Sequence, residues 1–241
     1  MERSSIRDHY DLLISLLKAE RQQSEQEAAL RQAKFDLRQA KASQLEYGST
    51  FRSFLDKFTG KREETETALR HAVRKAEADL ATAQQEKAAL EAQIAALREQ
   101  LADLPAWESR CDRSAEWYQL EALYCLEVLA PLLEANLNLL TERRNQFNVT
   151  CAGQVKTRYA LAEIYTAPEA AAEACKPYLL RLKTALSQQE IPFELHRYFE
   201  EPTAFLSSAT QFTRMDRINT AIAQTEALQK RLPGLKTQLE D

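Results

Sequence analysis

The sequence predicts a mainly α protein: a long antiparallel coiled-coil hairpin over residues 1–104, projecting from a C-terminal helical domain over 105–241. Three observations carry this reading. From Leu69 to Leu104 an apolar column steps alternately by four and three: Leu69, Val73, Ala76, Leu80, Ala83, Lys87, Leu90, Ile94, Leu97, Leu101 and Leu104. Only Lys87 interrupts it, and a mean spacing of about 3.5 residues is the seam of a coiled coil. A second column precedes it: His9, Leu12, Leu16, Ala19, Gln23, Gln26, Leu30, Ala33, Leu37, Ala40, Gln44 and Tyr47. Finally, 4 Gly and 7 Pro in 241 residues leave few places for a turn, a profile that favours long helices.

The first arm spans about 5–47, with Ser5-x-x-Asp8 in position for a capping box. Its column is the weaker, because Gln23, Gln26 and Gln44 stand on it. The second arm spans about 61–104. Glu63, Glu64 and Glu66 fall in its first turns, where carboxylates complement the helix dipole. The link from Gly48 to Gly60 is too short for a parallel return, so the arms run antiparallel. A turn at its middle sets Gln23 opposite Lys87, and such a polar layer costs stability but aligns the helices.

The link forms a Phe-rich tip at 48–60. If Ser49 or Thr50 caps a short helix there, Phe51, Phe54, Leu55 and Phe58 share one face. Arg52, Lys57, Lys61 and Arg62 against Asp56 make the neighbourhood basic. Two readings follow. The rings plug the end of the hairpin by packing on Leu45 and Tyr47, or they form a docking surface. In the second reading the partner-binding residues are Phe51, Arg52, Phe54, Leu55, Lys57, Phe58, Lys61 and Arg62. Gly60-Lys61-Arg62 is not a phosphate loop, since Arg62 stands where a Ser or Thr is required.

Pro105 ends the second arm, and Ser109-x-x-Asp112 is placed to cap the next helix. From there to about Phe147 lies the richest apolar stretch, with Trp117, Leu120, Tyr124, Leu126, Leu129, Leu133, Leu137 and Leu140 on one face and Leu123, Val128, Leu132 and Leu139 off it. A helix apolar on several sides is buried by several neighbours. Pro131 is expected to kink it. Residues 148–166 carry both a helical period and β-branched residues. We favour helix, with a break at Gly153; Thr166-x-x-Glu169 with Pro168 reads as a helix start, and Pro177 as a bend. The alternative is an α+β base with a small sheet from about 155–165 and 191–199. Residues 200–212 read as loop, and a last helix opens at Thr213-x-x-Asp216 and ends at Pro233-Gly234.

Composition limits the function classes. The chain carries 32 basic and 36 acidic residues, a net −4, and a nucleic-acid binder ordinarily shows a basic excess. No run approaches the ~20 apolar residues of a membrane span, and the charged start has no signal-peptide core, so a cytoplasmic protein is expected. Cys111, Cys125, Cys151 and Cys175 form no C-x-x-C and have no His at ligand spacing, so they read as buried or half-buried free thiols. His9, His71 and His196 lie in separate elements, and no hydrolase, zinc-protease or nucleotide-loop motif occurs. We therefore expect no enzyme, no cofactor and no metal, and a coiled-coil scaffold or adaptor that binds a protein partner through arm and tip. A membrane-surface protein using the basic-aromatic tip is the alternative, and a nucleic-acid-binding arm is a third reading that the balanced charge disfavours. The narrow seams further suggest a homodimer.

Overall fold

A computed structural model describes residues 6–49, 56–57, 60–109, 113–152, 158–207 and 214–240. The protein is mainly α, 91% helical, with no strand among the described residues. In chain order the helices are α1 (Ile6–Ser49), α2 (Arg62–Ala102), α3 (Ala115–Ala152), α4 (Arg158–Gln188), α5 (Arg197–Glu200), α6 (Pro202–Ser207) and α7 (Arg214–Glu240), with a 3-10 turn at Trp107–Ser109. The chain divides into two compact units: Asp11–Pro105, and Met1–Tyr10 together with Ala106–Asp241.

In the Asp11–Pro105 unit, burial follows the two columns. From Leu69 to Asp103, every residue on the α2 column is buried or half-buried and every residue off it is exposed. From Gln22 to Gly48 the α1 column behaves in the same way. Ala19 packs with Leu90 and Ile94, flanked by Leu16 and Leu97. Contacts across the pair run antiparallel: Glu20 with Arg98 at 2.8 Å, Glu27 with Lys87 at 3.6 Å, and Lys41 with Glu77 at 2.9 Å.

The register differs from the expected one. Lys87 lies beside Glu27, and the neighbouring Glu86 accepts a 2.8 Å bond from Gln26. The polar layer therefore forms around Gln26, about one turn from Gln23. The reason lies at Gly48, which does not end the arm: α1 continues through it to Ser49, moving the turn later. One exposed helical glycine costs only about 1 kcal/mol relative to alanine. Converting both Gln26 and Lys87 to Leu should stabilise the arm by roughly 1.5–3 kcal/mol, the scale of burying one such side chain. Urea denaturation followed by circular dichroism checks this, and an unchanged midpoint contradicts it.

In the other unit α3 is the centre, packed against both α4 and α7. Leu120, Leu129, Leu133 and Leu140 of α3 are closed from solvent, as are Leu179, Leu182 and Leu186 of α4 and Ile218 and Ala221 of α7. Residues Ala115–Gln146 of α3 include a stretch long and apolar enough, by length and composition, to cross a membrane. That revises the expectation that no run is. Yet α3 also buries Glu121 and Asn136. Asn136 Nδ2 donates to Tyr198 Oη at 3.1 Å and to the Pro168 carbonyl at 3.4 Å, so this amide ties α3 to α4 and α5.

Several local expectations are corrected. Ser109 closes the 3-10 turn and does not cap α3. Ser114 does, its Oγ accepting from the Trp117 N–H at 3.2 Å. Pro168 does not start α4 but lies inside it, the helix beginning eight residues before Thr166, while Pro177 lies within the helix as expected; α7 continues through Pro233 and Gly234. Residues 158–165 are helical, which favours the helix reading of 148–166, while Gly153 lies outside the described residues. Among the described residues, no sheet forms from 158–165 and 191–199. Ile191–His196 is neither helix nor strand, and Arg197–Glu200 is helical. A helix end explains this segment. Glu190 adopts φ 58°, and Glu190 and Ile191 donate back to the Ser187 and Leu186 carbonyls at 3.3 and 3.0 Å. That is a Schellman stop, and it uses the Ile191 N–H that a strand would need. Two short helices replace part of the expected 200–212 loop, with Pro202 at the first position of α6, where its missing N–H is harmless. Ser5, Asp112 and Thr213 lie outside the described residues.

Candidate functional site

Of the eight predicted partner-binding residues, Phe51, Arg52, Phe54, Leu55 and Phe58 lie outside the described residues. The other three border a defined turn. Lys61 N–H donates to the Asp56 carbonyl at 3.1 Å, and Gly60 sits at φ +70°. This pairing five residues back, over a left-handed glycine, is another helix-stop geometry. A Cβ at Gly60 would meet nothing within 4 Å, so the need for glycine is purely torsional. Gly60→Ala should destabilise the arm by about 1–2 kcal/mol, the cost of left-handed backbone in an L-residue. Thermal melting of the variant measures this, and an unshifted melt contradicts it.

Tyr47 anchors the same turn. It is buried, and its Oη donates to Asp56 Oδ2 at 2.8 Å. Desolvation first, then the bond to Asp56, hold the phenol above its ordinary range. Leu45, the other expected support for the rings, is instead 75% exposed. Lys57 and Lys61 are exposed. Arg62 is committed to its own helix: its Nε meets Glu66 Oε1 at 2.7 Å, which raises the guanidinium and, by the same bond, lowers the carboxyl. The acidic run thus does more than complement the helix dipole, because Glu66 also holds Arg62 and lies 3.7 Å from Arg70.

The helical base holds a second constellation. Glu121, 3% exposed, accepts from Trp107 Nε1 at 2.5 Å and from Arg181 Nε at 2.6 Å, with Arg181 NH2 at 3.1 Å. The Arg181 guanidinium lies 5.5 Å from the ring centres of both Tyr124 and Tyr178, within cation–π range. Trp107 stacks on Trp117 at 5.8 Å and receives the edge of His9 at 5.2 Å. His9, the first member of the α1 column, thus packs on the 3-10 corner. One helix face of α3 delivers Trp117, Glu121 and Tyr124, and α4 delivers Tyr178 and Arg181. Sequence reasoning passed over this group. Its one available signal was a carboxylate, Glu121, standing four residues from Trp117 on the same helix face within the most apolar stretch.

Cys125 and Cys175 are buried thiols outside any disulfide, Cys125 Sγ lying 3.8 Å from Glu121 Oε1; Cys111 lies outside the described residues, and nothing is described of the Cys151 side chain. His71 is exposed on α2 and His196 half-buried before α5. Among the described residues, no three His, Cys, Asp or Glu side chains gather to hold a metal. No protein-family model, no curated protein and no solved structure matches the chain.

Proposed function

We propose that this protein is a non-enzymatic scaffold or adaptor that engages a protein partner through its helical arm and the arm's tip. The observation that carries the reading is the surface beside the turn: Leu45 at 75% exposure, with Lys57 and Lys61 exposed next to the Tyr47–Asp56 closure. Two exposed cations next to that closure suit a partner with an acidic contact face, and Leu45 leaves an apolar side chain in water on the same arm. The helices support it in a second way, since over Gln22–Gly48 and Leu69–Asp103 each buries a single stripe and leaves the rest of its circumference exposed. The proposal adds Phe51, Phe54 and Phe58 of the same link as its aromatic contacts. In this reading Phe54→Ser leaves helicity and melting largely intact and abolishes capture of the partner, while Lys57→Glu with Lys61→Glu weakens capture. If the tip is only a structural plug, Phe54→Ser melts the arm instead.

Protein docking is preferred to membrane docking because a few basic residues contribute only about 1 kcal/mol each near an anionic surface. Sedimentation with anionic vesicles at physiological salt separates the two, and strong co-sedimentation would overturn the preference. Self-association of two arms belongs to the same proposal. Light scattering at twice the chain mass supports it, and a strictly monomeric mass at high concentration removes it.

A further inference from the structure

We propose that arms of this protein associate side by side, a cationic face of one arm seating in an acidic groove on the next. This rests on the self-association proposed above and adds its surfaces and its geometry. The cationic face lies on α1. At about 100° per residue, Arg31, Lys34, Phe35, Arg38 and Leu45 fall within roughly 100° of arc. All five are exposed, and Phe35 at 60% and Leu45 at 75% are two of the three exposed large hydrophobic residues among those described. Ion pairs among the described residues of the arm join Glu20 to Arg98, Lys87 to Glu27 and Glu91, Lys41 to Glu77, and Glu66 to Arg62 and Arg70. Arg31, Lys34 and Arg38 stand outside all of these pairs.

The receiving groove lies on the other side of the same arm. Its volume is about 620 Å³, and its lining includes Glu25 and Ala29 of α1 and Glu86, Ala89 and Leu90 of α2. Glu25 is outside the same ion pairs, and Glu86 meets a neutral donor, the Gln26 amide. A carboxylate accepts several donors at once, so both acids can take an arginine. Leu90, Ala29 and Ala89 put apolar surface between them, where the Phe35 ring is received. Neither surface fits its own copy, since cation would meet cation and acid would meet acid. Glu25 and Ala29 lie roughly opposite Arg31 and Phe35 around α1, by the same turn per residue. A copy that fills its neighbour's groove therefore keeps its own groove open. Contacts between two different surfaces are not closed by a twofold axis, and they continue from copy to copy.

The test uses the full chain. Arg31→Glu with Arg38→Glu makes the face acidic, and Glu25→Arg with Glu86→Arg makes the groove basic. All four positions are exposed, and circular dichroism compares helicity. By light scattering, the wild-type mass should climb past twice the chain mass as concentration rises. Each variant alone should stay at one chain mass. An equal mixture of the two should regain the growth, because opposite charges then meet at every contact. Phe35→Ser should weaken association about tenfold or more, the scale of one buried aromatic side chain. A wild type that stops at twice the chain mass, a mixture that does not grow, or unchanged association in Phe35→Ser would overturn this contact and leave self-association through another face standing. A wild type that stays monomeric at high concentration would remove the second copy as occupant, and with it self-association, without touching capture by the tip.

Discussion

Glu121→Ala should cost the helical base about 3–5 kcal/mol, the largest effect we expect from any single substitution. Removing one partner of a buried ion pair leaves the other charge desolvated and unpaired. Here the loss falls on two groups, since Glu121 accepts from both the Arg181 guanidinium and the Trp107 indole. The Arg181 side chain is 25% exposed and the Glu121 side chain 4%, so water can relieve the arginine in part, which argues for the lower half of the range. Glu121→Gln should cost less, because the amide oxygen still accepts. Replacing Glu121 and Arg181 together by Leu should also cost less than Glu121→Ala alone, since no charge is then stranded. Both tryptophans lie in this constellation, so near-UV circular dichroism during urea unfolding reports on the base itself. A Glu121→Ala loss below about 1 kcal/mol would show the pair to be solvated like a surface bridge.

The second large effect is alkaline. Cys175 is closed from solvent, and burial pushes its thiol from 9.0 up to about 12. The folded protein therefore holds a neutral thiol where the unfolded chain holds a thiolate. The resulting stability is fully present below about pH 9 and is lost as pH rises toward 12. Each unit of separation corresponds to about 1.4 kcal/mol, so the loss approaches roughly 4 kcal/mol. Tyr198 acts in the same direction at higher pH. Burial raises its phenol, and the bond with Asn136 opposes only part of the rise. Denaturation at about pH 8 and about pH 10.5 should show a steep loss in the native protein and a shallower one in Cys175→Ala. Equal slopes would mean that the thiol is not desolvated.

Much of the arm was legible because a period needs no partner to be seen. The spacing of Leu69, Val73, Ala76 and their successors states which face is buried, and burial obeys it residue by residue through Leu101. Register was less legible, because it depends on where a helix stops. A glycine at 48 can end a helix or be carried through it, and the difference is smaller than the tertiary energy that decides it. Two prolines erred in the same direction. Pro168 and Pro233 read as helix boundaries, yet each lies inside a long helix, where packing of apolar faces outweighs one missing N–H. The Glu121 constellation was the least legible. Its members come from the 3-10 corner, α3 and α4, with Glu121 and Arg181 sixty positions apart. No local pattern states that such residues will meet.

Capture through the tip tests the functional account most directly. Wild-type protein, Phe54→Ser, and the Lys57→Glu, Lys61→Glu pair are immobilised at equal density after circular dichroism has compared their helicity. Bound proteins are then quantified by mass spectrometry. The account predicts a specific partner retained by the wild type, lost from Phe54→Ser and reduced for the charge-reversed pair, with helicity unchanged in all three. The same partner held equally by all three, or an arm that melts on Phe54→Ser, would contradict it.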